Sequence, residues 1–544
     1  MQGLVLTIAA IDIGVMIQGV IADANLIFDS DGYNRGKYGL DPRQYYRSTN
    51  FTSPLLLVNH WDPARTENSS YIFVTLNSPG ESQSASPVIY RAEDLSLVYS
   101  DPHWSAVHNA HIAQFNGNDY LVFIEQGGVK GSPLQHCLLY DSTYTLAYNI
   151  SSHSPAHAEM EMHECQLTTT GSAVVILKEV IPYNLTVVGG PEDGKVLDNI
   201  IQEIAIETRE LLWTWRGSDH YELSESYMEY KYGPGAYDYI HMNSVDRTPE
   251  GNFLISARHT HSITLVNRES GSIDWTLGGK KNDFLDLSNG SATNFAWQHH
   301  ARFYNSTQLT MFDNHNISST IGCTANCSRG KHVELNYKSR TARLVSEFYH
   351  PESLLSGFEG SYQTTRSGNI FLGWGANPAF TEHLPSGECV LDVQFDLWRP
   401  DTGYPINYRA FKMDWKAYPT WAPQIATLRA NEDGEFQVYV SWNGATEVKN
   451  WQLVSDMPEA KKEAEWDQLL TLSLVKLSGN SHDNVTKSIM VIPRNGFETD
   501  IILKPEQPFI RAAALGQDGL VLGMTAVTQL TTGEGTSDVI EATG

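Results

Sequence analysis

The chain has 544 residues, 41% of them hydrophobic and 11% aromatic, with 13 Trp and 26 Tyr, and a formal net charge of −26. That length predicts two or more folded units with large cores and excludes wholesale disorder, and the aromatic-rich mix suits strands better than helix bundles. The acidity excludes phosphate backbones and anionic membranes as partners, because the chain would repel them.

Residues 1–24, MQGLVLTIAAIDIGVMIQGVIADA, form an apolar run that ends in small residues and resembles a secretory signal cleaved after Ala22 or Ala24. No Lys or Arg precedes the run and Asp12 interrupts it, but Asp12 at mid-membrane would be costlier still for a signal anchor. Nine N-x-S/T sequons, at Asn50, Asn68, Asn149, Asn184, Asn289, Asn305, Asn316, Asn326 and Asn484, independently predict secretion, or residence in the secretory lumen, with N-glycans. Five cysteines cannot all pair. Cys323 and Cys327 in IGCTANCSRG predict a local disulfide in an oxidising compartment, and Cys137, Cys165 and Cys389 can supply one more bridge and leave one free thiol. The C-x3-C pair has no nearby partners at zinc-ligand spacing.

No GxGxxG, P-loop, HExxH or GxSxG motif occurs. A weak internal repeat does. HIAQFNGNDYLVF from His111, HECQLTTTGSAVVIL from His163, HMNSVDRTPEGNFLIS from His241, HHARFYNSTQLTMF from His299 and GSYQTTRSGNIFLGW from Gly360 share one template. It runs H-x-x-[Q/S/R]-apolar, then a turn with Gly, Asn or Ser, then a β-rich apolar run. Each unit reads as a hairpin, and the starts lie 52 to 78 residues apart, which is room for a four-stranded sheet. That is blade spacing for a β-propeller, in which equivalent inner-strand positions converge on a central channel. His163, His241 and His299 are therefore expected to meet there. Neighbouring strand residues point to opposite faces, so His300 is expected to face away from His299 and to be structural.

The pattern breaks in AYPTWAPQ around Pro419–Pro423. QVYVSWNGATEVKNWQLV, SIMVIPR, TDIILKP, PFIRAAAL and LVLGMTAV then alternate as strands of an Ig- or fibronectin-like sandwich. EAKKEAEWDQLL reads as a solvated helical excursion and the last residues as a tail. The expected organisation is all-β: a signal over 1–24, a β-propeller over 25–418, a β-sandwich over 424–530 and a flexible tail over 531–544.

The run from Tyr237 through LTMFDN, with YDYIHMNSVDRTPEGNFLISARHTHSITLVNRESGSIDWTLGGKKNDF and FAWQHHARF, resembles the arylsulfotransferase (ASST-like) family, particularly its fungal branch. The resemblance extends upstream through YGLDPRQYYRSTNFTSPLLLVNHWDP and downstream through GSYQTTRSGNIFLGWGANP and VYVSWNGATEV, most of the mature chain. It implies a six-bladed propeller that moves a sulfuryl group from a phenolic sulfate to a phenol, without the nucleotide donor PAPS, through a transiently sulfated histidine. It places that nucleophile on His299, transition-state contacts on His241 and Asn243, the sulfate-binding arginine on Arg258, and, by a looser match, an earlier histidine on His163. A late Ser/Thr contact of the family has no clear counterpart. His300 stands where relatives commonly carry an acid, and Ala257 where they carry Ser.

Neutral imidazole suits the scheme as a nucleophile that can leave again, and a planar guanidinium at Arg258 suits bidentate binding of sulfuryl oxygens. His241 and Asn243 would add hydrogen bonds, and His163 or His241 would move the phenolic proton. Trp297, Tyr237, Tyr239 and Trp374 are candidates to sandwich an aryl ring, with core packing as the alternative for each. The expected partners are small phenolic or aryl sulfates; no cofactor, metal or nucleic acid is expected. Two other readings stay open at this point: a secreted or lumenal tailoring enzyme of a fungal secondary-metabolite pathway using the histidine-lined channel for acid/base chemistry, and a non-catalytic binding propeller.

Overall fold

The computed structural model describes residues 26–530, apart from 69, 78–84, 127–134, 154–157, 232, 234, 399–406, 432–433, 456–487 and 505–507. The expected signal, the helical excursion and the tail lie outside the described residues. The fold is all-β, with one short α-helix, Ser30–Asn34, and three single-turn 3-10 helices among the described residues.

Six antiparallel sheets follow one another along the chain, here numbered I to VI. Sheet II comprises Ala106–Phe115, Asn118–Gln126, Gln135–Tyr140 and Leu146–Ile150, and sheet III comprises Glu159–Leu167, Ser172–Tyr183, Gly194–Ala205 and Leu211–Arg216. Sheet IV comprises Met242–Arg247, Phe253–Ala257, Ser262–Val266 and Ile273–Gly278. Sheet V comprises His299–Asn305, Gln308–Asp313, Arg329–Asn336 and Thr341–Tyr349, with Leu285–Asp286 added in parallel at its far edge. Sheet VI runs Ser361–Thr364, Ile370–Gly373, Ala379–His383 and Cys389–Gln394, and its last strand is Leu57–Trp61 from near the start of the chain. Conversely, sheet I takes its first strand, Phe411–Met413, from after sheet VI, and continues with Tyr71–Asn77, Ala85–Arg91 and Leu97–Ser100. Each of the five repeat starts lies in or within a residue of the first strand of a sheet.

Successive sheets share cores, which explains why the middle strands are apolar on both faces rather than alternating. In sheet III, Val174 and Ile176 pack with Val245, Phe253 and Ile255 of sheet IV, while Val175 and Leu177 pack with Val122 and Ile124 of sheet II. Sheets IV and V share Leu254, Leu277, Leu309 and Met311; V and VI share Phe312, Phe348, Tyr362 and Leu372. Sheets VI and I share Phe371, Phe380, Ile72 and Val74, and I and II share Phe73, Ile89, Val107 and Leu121. The first strands also touch in sequence, II on III, III on IV, IV on V, V on VI, VI on I and I on II. A Cys137–Cys165 disulfide ties sheet II to sheet III, Cys323–Cys327 forms the expected local bridge, and Cys389 is the free thiol.

Beyond this ring, Gln424–Arg429, Phe436–Ser441 and Glu498–Leu503 form one sheet, and Ser488–Pro493, Asn450–Ser455, Phe509–Leu515, Val521–Met524 and Thr528–Gln529 form another. Val438, Val440, Trp451, Leu453, Ile510 and Ala512 fill the space between the two. The pair is fastened to the ring by Glu498, which accepts from the Arg47 amide at 2.8 Å, and by Gly444, whose amide donates to Val98 O at 2.7 Å.

At the centre of the ring, fully buried Glu164 on the first strand of sheet III accepts from Arg302 of sheet V (2.6 Å), Arg409 (3.1 Å) and the Val245 amide of sheet IV (3.1 Å). Arg409, just before the closing strand of sheet I, also donates to Asn109 Oδ1 of sheet II and to Asn243 O of sheet IV. Burial opposes the charge of Glu164, but the Arg302 and Arg409 guanidiniums outweigh it and hold its carboxyl below the ordinary range. The stabilisation is therefore present above the unfolded carboxyl pKa and is lost as pH falls through the lowered folded one. Glu164→Ala leaves the buried Arg409 guanidinium and the mostly buried Arg302 guanidinium without their counter-ion, and should cost about 3–5 kcal/mol of unfolding free energy, read as a lowered denaturant midpoint.

Candidate functional site

The first strands of sheets II to V each carry a register irregularity at or beside the repeat histidine: between His108 and His111, Met160 and Cys165, Met242 and Ser244, and His299 and Arg302. Such bulges re-aim side chains at the rim of a sheet. His241 and His300 take left-handed backbone angles there, with φ of 54° and 52°. The fifth unit carries Gly360 instead of histidine because a Cβ at that position would lie 2.4 Å from Phe312.

A register irregularity falls at His299 and His300. Both rings lean on the same stretch of chain entering sheet VI: the Glu359 amide donates to His299 Nε2 (3.1 Å), and the Tyr362 amide donates to His300 Nδ1 (3.2 Å). Their surroundings still differ. His300 packs on Phe411 near the charges of Arg302 and Arg409, a buried hydrogen-bonded position, whereas His299 faces Arg258, His163 and His241.

Hydrogen bonding fixes the His299 tautomer. Asn314 Nδ2 donates to Ser356 O and Glu359 O, both at 2.8 Å, so its Oδ1 must accept from His299 Nδ1 at 2.7 Å, which leaves the Nε2 lone pair on the side of the Glu359 amide. Burial first, then the Arg258 charge, holds His299 well below the usual imidazole range, so the ring is neutral.

His163 and His241 are held in the same way. His163 Nδ1 bonds the buried Glu161 carboxylate, itself 3.3 Å from Lys178 Nζ, and His241 Nδ1 donates to Asp238 Oδ2 at 2.6 Å. Burial keeps both rings below their usual range, against the pull of Glu161 in one case and with the help of Lys178 in the other. Their ring centroids are 5.0 Å apart, and Tyr408 lies against His163 (5.5 Å) and His299 (6.5 Å). Three imidazoles thus each anchor Nδ1 on an oxygen and leave Nε2 with its lone pair.

Arg258 is brought to this cluster, but not as an open fork. Nη1 donates to His259 Nε2 (2.8 Å), Nη2 donates to Gly357 O (3.0 Å), and the guanidinium lies 5.1 Å over the Trp297 ring. Nε is buried and without a hydrogen-bond partner among the described residues. Burial pulls Arg258 down to about 10, so it stays charged. Asn243 donates from Nδ2 to Gln298 O at 2.7 Å, and its Oδ1 has no partner among the described residues. Asp238, His241 and His259 offer ligand atoms within 4.8 Å of one another. Direct hydrogen bonds account for their geometry, since His259 Nδ1 donates to Asp238 O at 2.6 Å.

Of the four aromatic candidates, only Trp297 borders the cluster. Tyr239 donates to Tyr221 O inside the core, Tyr237 packs on Tyr230 and Tyr239, and fully buried Trp374 donates to Thr381 Oγ1. These three are core packing. A cavity of about 720 Å³ opens against sheet III, lined by Glu161, His163 and Lys178 together with Met160, Val180 and Leu197. Glu161, Lys178, Asp238, Asn314, Glu359 and Tyr408 were not singled out from sequence. Glu161 and Asp238 stand two and three residues before their histidines, a signal legible in the sequence; the others arrive from distant segments.

The sequence profile of the arylsulfotransferase (ASST) family matches residues 111–396, over half of the 544-residue chain. No curated protein matches. Among solved structures, similarity is found to a protein of unknown function from Bacteroides caccae (12% identity over 63% of this chain and 99% of that chain, TM-score 0.38). It is found also to a putative 6-phosphogluconolactonase from Bacteroides fragilis (13%, 65% and 100%, TM-score 0.33). The matched segment holds most of sheets II to VI with His163, His241, Asn243, Arg258 and His299, and the chain belongs to the arylsulfotransferase (ASST) family.

Proposed function

We propose that the chain is a secreted, N-glycosylated aryl sulfotransferase that moves a sulfuryl group from a phenolic sulfate to a phenol through a sulfohistidine at His299, without PAPS. The accompanying fold is a six-bladed β-propeller over residues 25–418, with sheets I to VI as its blades, and an Ig/fibronectin-like sandwich over 424–530. The ring of touching first strands and the core shared by each neighbouring pair of sheets support the propeller. The Cys137–Cys165 disulfide supports an oxidising compartment, and Asn50, Asn68, Asn184, Asn289, Asn305, Asn316 and Asn326 are exposed to glycosylation.

Family membership implies aryl sulfotransferase chemistry. The observation that carries the mechanism is the neutral, tautomer-fixed His299 beside a charged Arg258. Nε2 attacks sulfur as the bond from sulfur to the donor phenolate oxygen breaks, giving up the hydrogen bond from the Glu359 amide as the N–S bond forms. Arg258 offers Nε to a sulfuryl oxygen. Its other nitrogens are held by His259 and Gly357, so the charge is positioned before substrate arrives. The acceptor phenol, oriented by hydrogen bonds to Nε2 of His163 and His241, then attacks sulfur as the N–S bond breaks and its pair returns to His299, and the acceptor's hydroxyl proton balances the one taken up by the phenolate released in the first half. Arg258, buried and charged beside His299, supplies a local positive charge for an anionic substrate although the chain as a whole is acidic.

Three outcomes are expected. Intact-mass analysis after brief incubation with an aryl sulfate should show a sulfuryl adduct on the wild type and none on His299→Ala; an unmodified wild type across a panel of donors would sink the reading. Arg258→Lys, which loses the planar fork and the Trp297 stack, should lower kcat/KM by roughly 10²- to 10³-fold. Because the folded His299 pKa lies below the ordinary 6.5, the neutral, reactive form persists as pH falls through that value. Single-turnover adduct formation should therefore show no acid limb near pH 6.5.

A further inference from the structure

We infer that Glu359 is the proton donor to the departing phenolate and the proton acceptor for the incoming phenol. The inference rests on the sulfohistidine reading of the site. It starts from a mismatch: the three histidines there all present lone pairs. With Nδ1 anchored on Glu161, Asp238 or Asn314 and the rings neutral, each Nε2 can accept a proton or hydrogen bond but has none to give. Expulsion of an unactivated phenolate from sulfur needs a donor.

Glu359 is the group placed to supply it. It sits on the segment between sheets V and VI, 2% exposed, and neither carboxyl oxygen has a hydrogen-bond partner among the described residues. A buried carboxyl without partners is rare in folded proteins and calls for a reason. The backbone around it is tightly held: its amide donates to the reacting nitrogen, His299 Nε2, at 3.1 Å, and its carbonyl accepts from Asn314 at 2.8 Å. Its φ is 63°, a left-handed angle that a glutamate rarely adopts. The chain thus holds Glu359 within one side chain's reach of the sulfur that His299 would carry, in an unfavourable backbone angle, with its acid group unsatisfied.

Around it lie His299 of sheet V, which accepts from its amide, and Tyr408 before the closing strand, whose phenol feels the Glu359 charge, while Arg258 is bonded to Gly357 two residues earlier. Burial pushes the Glu359 carboxyl up to about 8, so it is largely the acid at neutral pH. A neutral acid also avoids repelling the sulfate, which a buried carboxylate would do.

The step balances. The His299 Nε2 lone pair forms the N–S bond, the bonding pair between sulfur and the aryl oxygen goes to that oxygen, and the Glu359 proton moves to it, leaving phenol, sulfohistidine and a Glu359 carboxylate. In the second half, the acceptor hydroxyl gives its proton to that carboxylate as its oxygen bonds sulfur and the S–N pair returns to His299.

The test compares the wild type with Glu359→Gln and Glu359→Asp in single turnovers on two donors, phenyl sulfate and the activated 4-nitrophenyl sulfate. Glu359→Gln should lose roughly 10²- to 10⁴-fold with phenyl sulfate and about tenfold or less with 4-nitrophenyl sulfate, whose leaving group departs without protonation. Glu359→Asp, which keeps an acid, should recover part of the phenyl sulfate rate. The wild-type rate with phenyl sulfate should fall as pH rises through about 8, and that limb should vanish in Glu359→Gln. Equal losses on both donors, or no loss on phenyl sulfate, would overturn the role of Glu359 while leaving the sulfohistidine intact. A wild type that forms no adduct with either donor would overturn both.

Discussion

A single buried carboxylate organises the middle of this protein. Glu164 is gripped by Arg302 and Arg409, and between them these three groups touch the first strands of sheets II, III, IV and V, with Arg409 itself next to the strand that completes sheet I. The apolar cores between sheets supply most of the burial, but such cores tolerate small slips of one sheet against the next. A carboxylate fully removed from water, with Arg409 buried and Arg302 mostly so, tolerates far less, since any shift leaves a guanidinium or a carboxylate uncompensated. The reactive groups are chain neighbours of the trio: His163 precedes Glu164, Tyr408 precedes Arg409, and His299 and His300 lie just before Arg302. Their positions are therefore set by the same electrostatic knot.

Around that knot the histidines behave less as acids than as fixed lone pairs. Each is made neutral by burial and given a defined tautomer by an oxygen on Nδ1, in the manner of the outer-shell partners that orient metal-binding or catalytic imidazoles. Arg258 is fixed in the same spirit, clamped by His259, Gly357 and the face of Trp297 before any anion arrives. The site gains its preorganisation from interactions that substrate does not have to make.

Much of this is legible in the sequence, for a physical reason. Repeated hairpins carry repeated turn chemistry, so the five template units mark the first strands of sheets II to VI, and the convergence of His163, His241 and His299 follows from the repetition. The closing strand Phe411–Met413 has no histidine and no turn after it, because its partner Tyr71–Asn77 lies at the other end of the chain, and nothing local announces it. At His300 a left-handed residue and a register shift interrupt the regular strand, while the His299 and His300 rings keep different surroundings. Tyr239 and Trp374 proved to be core residues, as large aromatics usually are. Asn314 and Glu359 matter only because the fold carries them to His299, so no sequence window contains the reason for either.

The two exchanged strands bear on how the molecule is made. Sheet VI waits for Leu57–Trp61 from the beginning of the chain, and sheet I waits for Phe411–Met413 from beyond its last neighbour. A chain emerging from its N-terminus can complete sheets II to V as it appears, but Leu57–Trp61 must wait for Cys389–Gln394, and the edge of sheet I at Tyr71–Asn77 for Phe411–Met413. Arg409 arrives with that same closing segment, so the second counter-ion of Glu164, after Arg302, comes last. Closure of the ring and assembly of the reactive centre are then one event late in synthesis, and a truncated chain would be left with open sheet edges and no working site.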